Sequence, residues 1–146
     1  MSSSFIPANL KIVAADTVLP FYEQLLNASI QNSNDYNTWL LNRSELESAL
    51  SEDMAWRYIR MTCNTQSETF KNEYLDFVNN INPVLSPLSN SLNTKMLAHA
   101  HFADSEDAAL GLYLKKVKTE IELFREENIE IQAKLQNLAQ TYSSIG

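Results

Sequence analysis

His99 and His101 are the only histidines of the chain and stand two residues apart. On an extended segment that spacing turns both rings to one side, as some metal sites need. A third ligand would have to come from Asp104, Glu106 or Asp107. The i, i+4 spacing of a two-histidine zinc helix is absent, so the plain expectation is two loop histidines. Cys63, the single cysteine, would act as a nucleophile only beside a histidine base. It closes an apolar helical stretch, and a small buried thiol is the simpler expectation.

Adjacent carboxylates occur as Glu52-Asp53 and Glu126-Glu127. Neighbours on a helix point roughly 100° apart, so neither pair converges as a catalytic acid and base must. Both are expected on solvated faces. Trp39 and Trp56 stand among Leu and Tyr at helical spacing, which suits packing better than stacking on a ligand. Ser86–Ser91 has no Gly-x-Ser-x-Gly elbow, and Gly111 has no glycine neighbours to form a phosphate loop.

These side chains would be positioned by helices. The 146 residues contain two glycines, Gly111 and Gly146, too few for the turns of most β folds. With 45% hydrophobic residues a core forms without staples. The expected fold is all-α, a bundle of five or six helices in antiparallel hairpins with a long C-terminal helical segment. Residues 1–15 are expected as an extended lead-in and 16–146 as a single helical domain.

The first helix is expected from about Val18 to Ile30, capped by Asp16 or Thr17, with Pro20 in its first turn. A second starts near Asp35 and runs to Thr62, unless the capping box Ser44-Glu45-Leu46-Glu47 splits it near Asn42. Its apolar stripe is Leu46, Leu50, Met54, Tyr58, flanked by Ala49, Ala55, Ile59 and Cys63. Thr65-Gln66-Ser67-Glu68 is a further capping box, opening a helix with the stripe Phe70, Tyr74, Phe77, Val78, Ile81. Pro83 and Pro87 predict a kink or a fresh start, then a short helix to about Leu97. After a loop from His99 to Asp104, Asp104 or Ser105 caps the last helical segment. There Leu110, Leu114, Val117, Ile121, Phe124, then Ile131, Leu135, Leu138, Tyr142 follow a heptad interrupted by Asn128. That pattern suits a long hairpin arm, two helices broken near Asn128, or a seam for a partner.

A net charge of −7 and a pI near 4.7 argue against nucleic acid and against an anionic membrane surface. MSSSFIPANLKIVAADTVLPF lacks the basic start and apolar run of a signal peptide, and no apolar stretch approaches the ~20 residues that span a bilayer. The expected compartment is the cytoplasm, which also suits an unpaired cysteine.

An ordered set of segments runs through the chain: Leu25-Leu26, Trp39-Leu40, Ser44-Glu45-Leu46, Arg57-Tyr58-Ile59, Met61-Thr62-Cys63-Asn64-Thr65, Tyr74-Leu75-Asp76-Phe77-Val78, Ile81-Asn82-Pro83, Leu92-Asn93-Thr94-Lys95-Met96-Leu97 and Glu122-Leu123-Phe124-Arg125-Glu126-Glu127-Asn128-Ile129. Helical spacing alone would not dictate Met61-Thr62-Cys63-Asn64-Thr65 or Leu123-Phe124-Arg125-Glu126-Glu127-Asn128. Together the set resembles the N-terminal helical region of oligoendopeptidase F-like and thimet oligopeptidase-like zinc metallopeptidases.

The resemblance implies a helical wall over a deep substrate channel, restricting access to short unfolded peptides that meet this part only indirectly. It also implies a partner, the C-terminal catalytic part of a larger peptidase, which would carry the zinc on a His-Glu-x-x-His helix. No segment here matches that motif, so no catalytic or metal residue carries over, and no cofactor is expected in this chain. Arg125 and Glu126, flanking a predicted break, become candidates for interdomain contact. So do Asn128, Val117 and Leu135 on the heptad stripe. The alternative is a free-standing acidic helical interaction protein that pairs as a homodimer through the 110–142 stripe.

Overall fold

A computed structural model describes residues 5–124 and 126–145, and within the second segment the side chains of 128–142. Among the described residues there are six α-helices and no strand: α1 Ala15–Asn27, α2 Ser33–Cys63, α3 Glu68–Asp76, α4 Asn82–Ala98, α5 Ala108–Leu123 and α6 Glu126–Ile145. A π-helical turn, Phe77–Ile81, joins α3 to α4, and a 3-10 turn, Ala100–Phe102, follows α4. The all-α bundle expected from the glycine count and the periodicity is the architecture observed.

Local chemistry moves several boundaries. α1 begins earlier than Val18, because Thr17 Oγ1 accepts the N–H groups of Val13 and Ala14 at 3.3 Å and turns the chain there. Pro20 therefore lies in the second turn and leaves the Asp16 carbonyl without its helical donor; Asp16 is exposed, so solvent can serve it.

α2 runs unbroken for 31 residues from an Asn32 cap, whose side chain accepts from Asp35 N–H at 2.8 Å. The box at Ser44 splits nothing. Its glutamates are engaged elsewhere, Glu45 accepting from Ile6 N–H at 3.0 Å and Glu47 from Arg43 Nε–H at 3.0 Å.

Ser67, not Thr65, caps α3, its Oγ accepting from Phe70 N–H at 3.2 Å. The break expected near Pro83 is the π turn. Pro83 has no N–H for the Asn79 carbonyl, and the ladder widens just before it, so that Asn82 N–H reaches the Phe77 carbonyl. Asp107 caps α5 through Leu110 N–H at 2.9 Å, while Asp104 accepts from Glu106 N–H at 2.9 Å in the preceding turn. Neither Asp104 nor Ser105 is the cap.

The core gathers Val18, Leu25, Tyr36, Leu46, Ile81, Leu92, Met96 and Val117 from α1, α2, the π turn, α4 and α5. Tyr74, Phe77, Val78 and Ile81 are buried, as their spacing indicates. The α2 stripe differs from expectation in its C-terminal half. Four-residue steps overshoot a full turn by roughly 40° each, so Tyr58 has rotated out of the inner face and is 50% exposed. Arg57 and Met61 take the inner positions. Ile59 and Trp56 are exposed as well, and Cys63 is an exposed thiol rather than a buried one. Trp39 is core.

Candidate functional site

α2 carries buried residues at Tyr36, Trp39, Arg43, Leu46, Arg57 and Met61, steps of three, four and their sums. Two of these inner positions are arginines. A buried guanidinium must be paired, and both are.

Arg57 donates from Nε to Asp53 at 2.8 Å, from Nη1 to the Glu73 carbonyl at 2.8 Å and from Nη2 to the Ile12 carbonyl at 2.8 Å. Its guanidinium lies 5.6 Å from the centroid of Phe77. It thus ties the lead-in, α2 and α3 together.

Arg43 lies at the centre of a polar seam between α1, α2, α4 and α5. Nε donates to Glu47 at 3.0 Å, Nη2 to Asn93 Oδ1, and Nη1 to the Met96 sulfur at 3.5 Å. Asn93 in turn donates to Glu120 at 3.2 Å, and Tyr113 OH donates to Glu47 at 3.2 Å. Tyr22 borders the same seam. Burial, reinforced by Glu47 and opposed by Arg43 and a hydrogen bond with Ser89, pushes its phenol up to about 12. Tyr113 is raised first by burial and then by Glu47. Such groups hold their protons across the physiological range and do not act as acids or bases near neutrality.

Other candidates scatter. His99 and His101 stack at 6.5 Å between centroids, and His99 Nδ1 contacts the Lys95 carbonyl at 2.9 Å. Among the described residues no group of three or more His, Cys, Asp or Glu could hold a metal ion.

The C-terminal stripe divides. The chain leaves helical geometry at Phe124, between α5 and α6. Val117 on α5 is 1% exposed and packs in the core. On α6 the stripe turns outward: Ile131, Leu135, Leu138 and Tyr142 are 52%, 60%, 65% and 83% exposed. α6 meets the body through smaller and polar residues instead. Ala133 packs against the cluster of Met61, Tyr74 and Val78. Asn137 Nδ2 donates to Asn79 Oδ1 at 2.7 Å, and Asn79 returns a bond at 3.3 Å. Val117 and Leu135 therefore do not share a face. Asn128 is half-buried beside a small cavity. Arg125 and the Glu126 side chain lie outside the described residues.

Sequence patterns overlooked Arg43, Arg57, Asn93 and Lys95. A signal existed: Tyr36, Arg43, Leu50 and Arg57 recur every seven residues, in register with Trp39 and Leu46.

The family described as Peptidase M3 N-terminal domain matches residues 5–124. The chain belongs to this family. No curated protein and no solved structure matches it. The matched segment of this M3 N-terminal domain reaches from the lead-in to the end of α5, and α6 follows it. The zinc that an M3 peptidase implies finds no fit among the described residues, where the two histidines stack on each other without a third ligand. No helix among the described residues is long and apolar enough to cross a membrane.

Proposed function

We propose that this chain is the helical accessory part of an oligoendopeptidase F-like zinc metallopeptidase, walling the substrate channel and leaving hydrolysis to a separate catalytic part. The family match over residues 5–124 carries this reading. A wall needs rigidity rather than chemistry, and the interior supplies it. Arg57 and Lys95 bind backbone carbonyls from distant segments, and the seam around Arg43 fixes α2 against α4 and α5. The catalytic part would dock on the outward stripe of α6, where Leu135 is central, and Arg125, Glu126 and Asn128, which precede that stripe in the sequence, are proposed as further contacts. The compartment proposed is the cytoplasm, where the exposed Cys63 stays reduced.

The purified chain should contain no stoichiometric zinc and should not cleave a quenched fluorescent peptide. Metal analysis together with a cleavage assay tests this, and stoichiometric zinc with turnover would overturn it.

A second reading rests on the same stripe. Ile131, Leu135, Leu138 and Tyr142 form a seam at heptad spacing, through which two copies of an interaction protein could pair. Light scattering separates the two readings: a defined dimer favours self-association, and a monomer favours a separate catalytic partner.

A further inference from the structure

A guanidinium has five N–H donors. For Arg43, three of them meet acceptors, and one of these is the weak thioether of Met96. Arg43 lines a cavity of about 340 Å³ bounded also by Tyr22, Tyr113, Leu50, Phe77 and Leu85. A second cavity of about 180 Å³ adjoins it, with Ser86, Ser89 and Glu120 common to both. Asn90 lines that second cavity, and its Oδ1 is buried without a donor. Arg43, which lines one cavity, thus keeps donors without acceptors, and Asn90, which lines the other, an acceptor without a donor, with the Glu120 carboxylate bordering both.

The charges that line the larger cavity balance: Arg43 and Lys116 against Glu47 and Glu120. A simple anion or cation would upset that balance, whereas a neutral molecule bearing both charges preserves it. Leu50, Phe77 and Leu85 add an apolar wall. Burying Arg43 and Asn93 costs desolvation that an aliphatic pair at these core positions would avoid. The larger cavity lies at the low end of ligand-sized pockets, roughly 300–1,000 Å³.

We propose that this crevice between α2, α4 and α5 binds a small zwitterion, a free α-amino acid or a dipeptide. Its carboxylate sits on Arg43 and its ammonium between Asn90 Oδ1 and Glu120, with an aliphatic side chain against Leu50 and Phe77. The chemistry is independent of whether the chain serves a peptidase.

Isothermal titration of the full chain with L-leucine, L-leucyl-L-leucine, N-acetyl-L-leucine and L-leucine methyl ester tests this. Saturable binding is expected for leucine or for the dipeptide, and whichever binds tighter identifies the source. Blocking either charge should weaken binding by about tenfold. Asn90→Ala and Glu120→Gln, both on partly solvated side chains, should each weaken it by about tenfold while the circular dichroism spectrum is unchanged. Two results overturn the proposal: no saturable heat with any of the four, which leaves a hydrated crevice, or equal affinity for the blocked and unblocked compounds.

Discussion

The Lys95 ammonium on α4 lies 2.9 Å from the Leu25 carbonyl at the end of α1. It donates as well to Leu26 at 2.9 Å and to Ala28, while Trp39 Nε1–H reaches the same Leu25 oxygen at 2.9 Å. The last carbonyls of a helix have no intrahelical donors and carry its negative dipole end. α1 has no basic residue in its own last turn. A lysine from another helix therefore serves as its C-terminal cap and holds α1 against α4. Burial lowers the pKa of this ammonium.

Lys95→Met keeps the length of the stem and removes the donor. Three carbonyls then lose a charged partner, and stability should fall by about 2–3 kcal/mol. Urea unfolding followed by the fluorescence of the buried Trp39 measures it. An unchanged midpoint would mean that solvent caps α1 equally well.

Tyr22 predicts an alkaline limit to stability. Its folded pKa is about 12 against the usual 10.0. A raised pKa means that the folded form keeps a proton which the unfolded chain gives up. Its contribution is fully present below pH 10 and is lost as the pH rises from 10 toward 12. A shift of this size corresponds to at most about 3 kcal/mol. Tyr22→Phe should flatten that part of the stability curve, which denaturant titrations across the range would detect. An alkaline arm as steep in the variant as in the parent would remove Tyr22 as its cause.

Arg57 predicts the behaviour of the lead-in. Its Nη2 bond to the Ile12 carbonyl links residues 45 apart in sequence. Lysine has no planar fork to serve Asp53, Glu73 and Ile12 together. Arg57→Lys should cost about 2 kcal/mol and loosen the chain around the exposed Lys11. Limited trypsin digestion should then cut after Lys11 faster than in the parent, and an equal rate would contradict the tie.

The same distances explain which features were legible from sequence. Amphipathic spacing located the helices and the buried run Tyr74, Phe77, Val78, Ile81, because that pattern is local. Caps were misplaced at Thr65 and Ser105, where several side-chain oxygens compete and tertiary geometry chooses Ser67 and Asp107. Arg43, Arg57 and Lys95 find partners 50, 45 and 70 residues away. A local pattern assigns such charges to solvent. Cys63 and Trp56 failed for the converse reason: a stripe extended by repeated four-residue steps drifts off the buried face.

Val117 and Leu135 lie on one heptad stripe in the sequence but in opposite environments, at 1% and 60% exposed. The break at Phe124 resets the phase, so the α5 half of the stripe enters the core and the α6 half leaves it. A charge on the two residues should therefore have separable effects. Val117→Asp buries an unpaired carboxylate and should cost about 4 kcal/mol or more, enough to unfold a marginal domain. Leu135→Asp meets solvent and should change stability by about 0.5 kcal/mol or less. The second variant should instead reduce binding of a hydrophobic dye and any association seen in light scattering, since it charges the centre of the apolar patch. If Leu135→Asp were as destabilising as Val117→Asp, the α6 stripe would be part of the interior rather than a surface awaiting a partner.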